Sequence, residues 1–586
     1  MAKRTGFNRR RHRLRRLLAP FRLRALVRRS EIAYTVIAAV IGIVAGGAVV
    51  LMQEAVTFMA VLIFDSAGEV SGAESVNPLR ALSGPLAGGI LLGASYLIGQ
   101  RWFRRVADPI EANAVTGGKI AVPGSLFISG QTMVSSGFGA SVGMEAAYTQ
   151  AASALASWGG QKLRLRREDL RQLVAAGAGG AIAAAFDAPL TGAFYAFELV
   201  LASYTVAALL PVLAAAISAT AVTRLVGGHH GLDLYFAGQI PAPSFIPIAV
   251  LAVISAVVGI LIMRAVSATE NTFRKSVLPG WSQPVVGGLC VGLLALATPR
   301  VLSSGHGAMD VVFGSNLTLG ALVLLFVLKA LASVISIGSG FRGGLFFASL
   351  LLGAILGKIL GIAWLMAFGL ELPIVVFAVV GMCALATAVI GAPLAMCFLA
   401  LETTKSLPLA LAVLFAALIA TAIVRQFFGF SFSTWRFHIR GETIRSAADI
   451  GWVRELSVGK MMRRVASEAP ASMKLAEARR RFPPGSTKAV PMVDDAGRYA
   501  GLCITSELYG EGLDPQMPLA SIAHQTSAWL RPDQTVREAI LAFGRHEADT
   551  LAVLDADHRV LGTLNEQYCL RRYSNEVNRR LYPQRG

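Results

Sequence analysis

The sequence predicts an all-α polytopic membrane domain with broken helices, followed by a smaller soluble α/β module. Three observations carry that prediction. Of 586 residues, 54% are hydrophobic and only 15% are charged, a balance that belongs to a chain crossing hydrocarbon many times. Apolar segments succeed one another from about Ile32 to Phe428, and sequence of alternating, strand-like character follows. One pattern occurs twice in the apolar part, and a different pattern occurs twice in the polar part. The organisation read from these shifts is a basic arm over residues 1–30, a membrane domain over 31–428 with halves at about 31–226 and 243–428, a linker over 429–452, paired soluble units over 453–574, and a tail over 575–586.

The net charge is +19, unevenly placed. Arg9, Arg10, Arg11, Arg13, Arg15, Arg16, Arg22, Arg24, Arg28 and Arg29 all precede the first apolar span. Positive flanks stay inside, so the N-terminus is expected in the cytoplasm of a multi-pass protein of the cell's inner (plasma) membrane. The arm leads straight into a span, so contact with anionic lipid is the better reading of its charge than nucleic-acid binding. No small-residue cleavage site follows a short apolar core, so a removable signal peptide is not expected. The five cysteines are scattered and odd in number, without a disulfide framework or metal-ligand spacing.

The first apolar segment, Ile32–Phe64, is too long for one upright span and predicts a tilted helix or two. Others cover roughly Leu82–Ile98, Val122–Phe138, Ala146–Trp158, Leu173–Ala185 and Thr191–Leu225. Ile246–Val266, Pro284–Ala297, Leu317–Ile337, Leu345–Phe368, Pro373–Ile390, Pro393–Leu401 and Leu409–Phe428 follow. Several are too short to cross about 30 Å of hydrocarbon. Broken helices are tolerated at membrane depth where they line a cavity or are buried in protein. The basic stretch Lys162–Arg171 reads as a cytoplasmic loop.

The internal repeat sharpens this. Gly177, Ala184, Ala188, Pro189, Leu190, Phe194, Ala196 and Glu198 fall at one constant offset on Gly381, Ala388, Ala392, Pro393, Leu394, Phe398, Ala400 and Glu402. Upstream of each copy lies a glycine-rich turn, G-A-S-V-G-M-E-A-A from Gly139 and G-S-G-F-R-G-G-L-F from Gly338. Two halves of this kind point to a site where the repeats meet, with helix N-termini favouring an anion. The first turn carries a carboxylate, Glu145. A charged carboxylate near a bilayer centre costs about 2.5–3.5 kcal/mol on translocon scales, and such groups face a polar pathway or the bundle interior. The alternative is a glycine-rich helix contact holding one buried, protonated Glu.

In the polar region, Leu475, Ala478, Phe482, Gly485, Val493, Asp494 and Gly501 match Val536, Ala539, Phe543, His546, Leu554, Asp555 and Gly562 at one offset. Each unit predicts an amphipathic helix (Leu475–Phe482; Val536–Phe543), a strand (Ala489–Val493; Leu551–Leu554), a turn and a second strand. The pair resembles tandem CBS motifs, modules that often bind adenine nucleotides. At the ends of the second strands stand Thr505-Ser-Glu-Leu508 and Asn565-Glu-Gln-Tyr568, without the acidic residue that ribose-binding copies carry. Thr505 and Asn565 are the candidate nucleotide contacts. A purely structural role in dimerisation is the alternative, and no other cofactor is expected.

Over most of its length the chain resembles the CLC family of chloride channels and chloride/proton antiporters. The first glycine turn resembles that family's G-x-x-x-G-R-E-G-P signature, and the second resembles G-S-G-x-x-G-G-x-F-x-P. The resemblance implies two inverted halves, a pore in each subunit of a homodimer, and transport rather than an enzymatic reaction. It implies that Glu145 is a gate that competes with the anion and carries a proton. Gly143, Met144, Gly344, Leu345 and Phe346 would line the anion site, with the N–H groups of Leu345 and Phe346 as donors.

The sequence also departs from that family. Where members have G-S-G-I-P-E, this chain has Val106-Ala107-Asp108-Pro109-Ile110-Glu111. The serine hydroxyl that contacts the central anion would then be lost at Ala107, and Asp108 would bring a negative charge close to an anion site. The antiporters' inner proton glutamate falls on Leu199, beside Glu198, which is a substitute candidate or a structural residue. The pore tyrosine has no clear counterpart, and Trp435 or Phe432 is the candidate for its space. These features favour a proton-gated channel for chloride or another small anion. A proton-coupled antiporter is the alternative, and a weakly conducting membrane sensor read out through the soluble pair is a third reading.

Overall fold

The computed structural model describes residues 30–66, 69–102, 106–226, 234–369, 373–429, 431–432, 435, 457–464, 468–510 and 512–572. The basic arm before Ser30, the tail over 575–586 and most of the linker over 429–452 lie outside the described residues. The chain divides into two compact units, Met1–Asp449 and Ile450–Gly586.

The first unit is helical throughout its described secondary structure. Its first half contains α1 (Glu31–Phe64), α2 (Pro78–Trp102), α3 (Pro109–Glu111, continuing as a π-turn over Ala112–Thr116) and α4 (Val122–Gly137). It goes on through α5 (Glu145–Lys162), α6 (Arg167–Phe186), α7 (Pro189–Tyr195, continuing as π-turns over Ala196–Leu201) and α8 (Val206–Val226). The second half repeats the order: α9 (Phe245–Lys275), α10 (Gln283–Ala295), α11 (His306–Gly314), α12 (Leu319–Gly338), α13 (Phe346–Phe368), α14 (Ile374–Ile390), α15 (Pro393–Thr404) and α16 (Leu407–Phe427). Among the described residues, seven helical segments are long and apolar enough to cross a membrane.

The structure narrows one local reading and corrects two. The segment from Ile32 is one helix of 34 residues, about 51 Å long at 1.5 Å per residue, which fits a bilayer only when tilted. The basic stretch Lys162–Arg171 is largely helix ends: α5 runs to Lys162 and α6 starts at Arg167. Glu168 and Asp169 lie in the first turn of α6, where acidic groups favour initiation. The apolar run Thr191–Leu225 is not one element, because Ala202 takes a left-handed conformation (φ 50°) and ends the π-turns before α8 begins.

Helices α7 and α15 show how the halves lock. Each starts with a proline at its first turn. Ala188 (φ −134°, ψ 87°) and Ala392 (φ −124°, ψ 76°) precede them outside the helical region, as a residue before proline prefers. Each break leaves N–H groups unpaired, and the opposite half supplies the cap. Glu402 accepts from the N–H of Leu190 at 2.8 Å and of Thr191 at 2.9 Å, and from the Thr191 hydroxyl at 2.7 Å. Glu198 accepts from the N–H of Leu394 at 3.0 Å and of Ala395 at 2.9 Å. The repeat-related rings of Phe194 and Phe398 stack with centroids 4.2 Å apart. This exchange is what a two-fold relation between the halves requires.

The second unit contains two copies of a strand–helix–strand–strand element. After α17 (Val458–Met461) and β1 (Arg463–Arg464), the first copy is β2 (Ala469–Pro470), α18 (Leu475–Arg481), β3 (Ala489–Val493) and β4 (Tyr499–Ile504). The second is β5 (Trp529–Leu530), α19 (Val536–His546), β6 (Thr550–Leu554) and β7 (Val560–Asn565). The sheet orders are β2-β3-β4 and β1-β7-β6-β5. β2 is parallel to β3 and β5 to β6, while β3/β4 and β6/β7 are antiparallel. Each hairpin slips register at the corresponding place, Met492/Val493 and Val553/Leu554. Each turn is closed by an aspartate side chain, Asp494 accepting from Ala496 and Arg498 N–H and Asp555 from Asp557 and Arg559 N–H.

Replacing Glu402 by alanine strips two backbone donors and a hydroxyl of their shared acceptor. Losses of about 1–3 kcal/mol attach to each buried donor left unpaired. We expect Glu402→Ala to lower the apparent melting temperature of the detergent-solubilised protein by several degrees in a size-exclusion thermostability assay. Glu402→Gln, which keeps one acceptor, should fall between it and the wild type.

Candidate functional site

The turns before α5 and α13 are built alike. Gly139 and Gly340 have φ of 89° and 101°, a region glycine occupies without strain. The next residues close the same bond: Ala140 N–H donates to Ser135 C=O at 2.9 Å, and Phe341 N–H to Ser336 C=O at 3.0 Å. The hydroxyls of those serines then serve the opposite half. Ser141 N–H donates to Ser336 Oγ at 3.0 Å, and Arg342 N–H donates to Ser135 Oγ at 3.1 Å. Finally the turns pair with each other. Gly143 N–H donates to Gly344 C=O at 2.9 Å, Gly344 N–H donates to Gly143 C=O at 3.1 Å, and the two segments run antiparallel.

That pairing brings the N-termini of α5 and α13 to one place, and Glu145 occupies it. Glu145 opens α5 and is 4% exposed. Its carboxylate folds back over Gly143, so closely that a Cβ on Gly143 would lie 2.1 Å from Oε2. The N–H groups of Glu145 itself and of Phe347 face the carboxylate, yet Oε2 is buried without a hydrogen-bond partner. Helix N-termini carry about half a positive charge each and are ready-made anion sites. The carboxyl group therefore sits in a place built for an anion, with Oε2 left unsatisfied.

Behind Glu145 lies a cavity of about 660 Å³ lined from both halves. Gly344, Leu345 and Phe346 are on its wall, as are Asp108, Leu199 and Phe432. Gly143 and Met144 are not; Gly143 forms the turn, and the buried Met144 lines a separate cavity of about 50 Å³ with Tyr148, Glu69 and His306. The Met144–Glu145 step thus divides two cavities. Donors expected from Leu345 and Phe346 are matched at the carboxylate by Phe347, one residue further into α13.

Other predicted residues are placed as follows. The Ala107 carbonyl accepts from Gln150 Nε2 at 3.1 Å. Asp108 is the N-cap of α3, its Oδ1 accepting from Glu111 N–H at 2.8 Å. Glu198 caps α15, its two oxygens accepting from the N–H groups of Leu394 and Ala395. Trp435 is also turned elsewhere. Its indole donates to Ser267 Oγ at 2.6 Å and its ring packs on Phe428 at 4.6 Å, so of the two aromatic candidates Phe432 is the one on the cavity.

Sequence reasoning missed Tyr195. It lines the cavity, and its ring lies 6.0 Å from that of Phe346. A signal existed: within the repeat, Tyr195 falls on Leu399, a polar departure among apolar matches.

In the second unit, a cleft of about 740 Å³ is lined by both copies, including Thr505 and Asn565. Thr505 Oγ1 is buried without a partner. Asn565 donates to Asp549 C=O at 2.9 Å and to Thr550 Oγ1 at 3.2 Å.

Two-fold-related halves, broken helices and N-termini converging on a buried carboxylate define a membrane transport protein of the repeat-interface class. Residues 96–425 match the voltage-gated chloride channel family, and the chain belongs to that family, the CLC proteins. Over 403 residues it is 30% identical to the voltage-gated ClC-type chloride channel ClcB of Salmonella typhimurium, covering 66% of this chain and 95% of that protein. A slow cyanobacterial Cl−/H+ antiporter shares the fold with a TM-score of 0.62 at 23% identity, over 70% of this chain and 98% of that one. A eukaryotic CLC transporter shares it with a TM-score of 0.56 at 17% identity, over 91% and 97%. The chain is therefore an anion transport protein and not an enzyme.

Gly143→Ala tests the packing of the gate directly. The new methyl group and Glu145 Oε2 cannot coexist at 2.1 Å, so one must move. A cryo-EM map of the variant should show the Glu145 side chain rotated out of the α5/α13 junction, with the Gly143/Gly344 pairing retained.

Proposed function

We propose that the chain exchanges a small anion, chloride in the first instance, for protons, with Glu145 as the shared group. The carrying observation is the Glu145 carboxylate held where the N-termini of α5 and α13 converge, one oxygen unsatisfied, between two cavities. Ionised, the side chain fills the anion's place. Protonated, it loses its attraction to the helix termini and yields the place to an anion from the cavity. Backbone donors of this kind favour anions over cations and release them readily. A single carboxylate that alternates between occupying the site and carrying a proton links the two movements. A Cl−/H+ antiporter among the structures sharing the fold is consistent with this.

A passive, proton-gated channel is the second reading. Leu199 on the cavity wall and the engagement of Glu198 as a cap favour it, since neither can relay protons from the inner side. Under either reading the protein works as a homodimer in the inner membrane with its N-terminus and second unit in the cytoplasm. The second unit functions as a CBS pair, and its cleft takes an adenine nucleotide. The buried, unpartnered Thr505 hydroxyl and the contribution of both copies to the cleft support that assignment.

Chloride efflux from proteoliposomes, recorded together with external pH, separates the readings. Exchange predicts proton uptake driven by the chloride gradient in the wild type. Glu145→Gln should keep chloride movement and lose at least tenfold of the proton movement. Chloride efflux with no proton movement in the wild type would leave the channel, and absence of any anion flux would leave the sensor. For the second unit, isothermal titration of the full-length protein with ATP, ADP and AMP should give saturable binding, weakened by Thr505→Val; no heat with any of the three refutes the nucleotide assignment.

A further inference from the structure

The two glycine turns use one pair of equivalent positions differently. Counted from Gly139 and Gly340, Ser141 falls on Arg342. Their backbones are treated alike, each N–H donating to a serine hydroxyl of the other half. Their side chains diverge. Ser141 is buried, and its hydroxyl bonds that of Ser333 at 3.0 Å. Arg342 lines the cavity of about 660 Å³ on which Glu145 also lies. We infer that Arg342 is an anion-binding residue that holds the transported ion in this cavity. The inference rests on anion transport alone and is the same for exchange and for passive flow.

The guanidinium is unspent. Its Nε is buried without a hydrogen-bond partner, and among the described residues no carboxylate forms an ion pair with it. A buried N–H left unpaired carries a desolvation cost that an incoming acceptor removes. The guanidinium is also held in place. Its central carbon lies 5.4 Å from the centre of the Tyr96 ring, and the Tyr96 hydroxyl donates to the Gly340 carbonyl of the same turn. Stacking engages the face of a guanidinium and leaves the N–H groups at its edge for an anion.

The cavity gives such a group work to do. Asp108, Glu111, Glu145 and Glu270 also line it, so an entering anion meets carboxylates on the wall. Among the described residues, the other cation on the wall is Arg274. Arg274 is exposed, and its guanidinium donates to Asn271 Oδ1 at 3.0 Å. Of the two, Arg342 is therefore the one with a donor withdrawn from water and without a partner. Its N–H groups form a rigid fork, and hydrogen bonds from a charged donor to an anion are about twice as strong as neutral ones.

The test is chloride flux against chloride concentration in proteoliposomes holding the full-length protein, comparing wild type, Arg342→Gln, Arg342→Lys and Arg274→Gln. Arg342→Gln should raise the half-saturating chloride concentration about tenfold or more, as loss of a charged donor does, with the maximal rate within about threefold of wild type. Arg342→Lys keeps the charge without the fork and should recover part of the affinity. Arg274→Gln should leave half-saturation unchanged. Anomalous diffraction from bromide-soaked crystals of the wild type should place a bromide ion against the Arg342 guanidinium. An Arg342→Gln protein with wild-type half-saturation overturns the assignment. So does one in which only the maximal rate falls, which marks Arg342 as part of the scaffold. If Arg342→Gln does not fold, the bromide map decides, and a cavity without bromide at Arg342 overturns the assignment. A wild type that moves no anion removes the transport reading itself, and the wild-type control tells that failure apart from the others.

Discussion

The membrane unit depends on one exchange of backbone hydrogen bonds, Gly143 with Gly344. Two short bonds are modest in energy, roughly 0.5–1.5 kcal/mol each in net terms. Their importance is positional. They join two turns that each lead directly into a helix, so that the N-termini of α5 and α13 must start from the same point. The serines behind the turns repeat the exchange, Ser336 holding the first turn and Ser135 the second. Each half therefore completes its site only by using the other, and the anion-attracting point exists because the halves cannot be assembled separately.

The same reciprocity explains how much was legible in the sequence. Both copies must present the same groups at the same places, so glycine turns, Ala-Pro-Leu starts and the Glu198/Glu402 pair recur in register and can be read from one chain. Glu145 was legible because a carboxylate in such surroundings demands a reason. What stayed hidden belongs to places where the halves differ. Tyr195 meets a leucine, Leu399, in the repeat, and its place on a cavity built from distant segments leaves no local trace. Trp435 and Phe432 are three residues apart, and only the packing of Trp435 on Ser267 and Phe428 shows which one meets the cavity. The break inside Thr191–Leu225 was invisible to hydropathy, since a left-handed alanine at 202 leaves no compositional trace.

The second unit makes the converse point. Its two copies agree down to the register slip in each hairpin and the aspartate that closes each turn. That agreement was readable because buried alternate positions and turn residues are local constraints. The cleft between the copies is a non-local product, and the unlike residues at its two equivalent positions, Thr505 and Asn565, differ in how they are used. The asparagine is bonded within its own copy, while the threonine hydroxyl is left open toward the cleft.

Glu145, Glu198 and Glu402 of the membrane unit sit at helix N-termini, and their satisfaction distinguishes their roles. Glu198 and Glu402 each cap a helix of the opposite half with both oxygens engaged. Moving either one abandons several charge-assisted bonds, each worth about 1.5–3 kcal/mol, so they act as fixed struts. Glu145 sits at the N-terminus of its own helix, and its Oε2 is buried without a hydrogen-bond partner. Its hold on the site is weaker by that missing partner, and a small anion that can be surrounded by donors competes on favourable terms. The same residue type, at the same kind of helix end, is therefore a clamp where both oxygens are bound and a movable occupant where one is not.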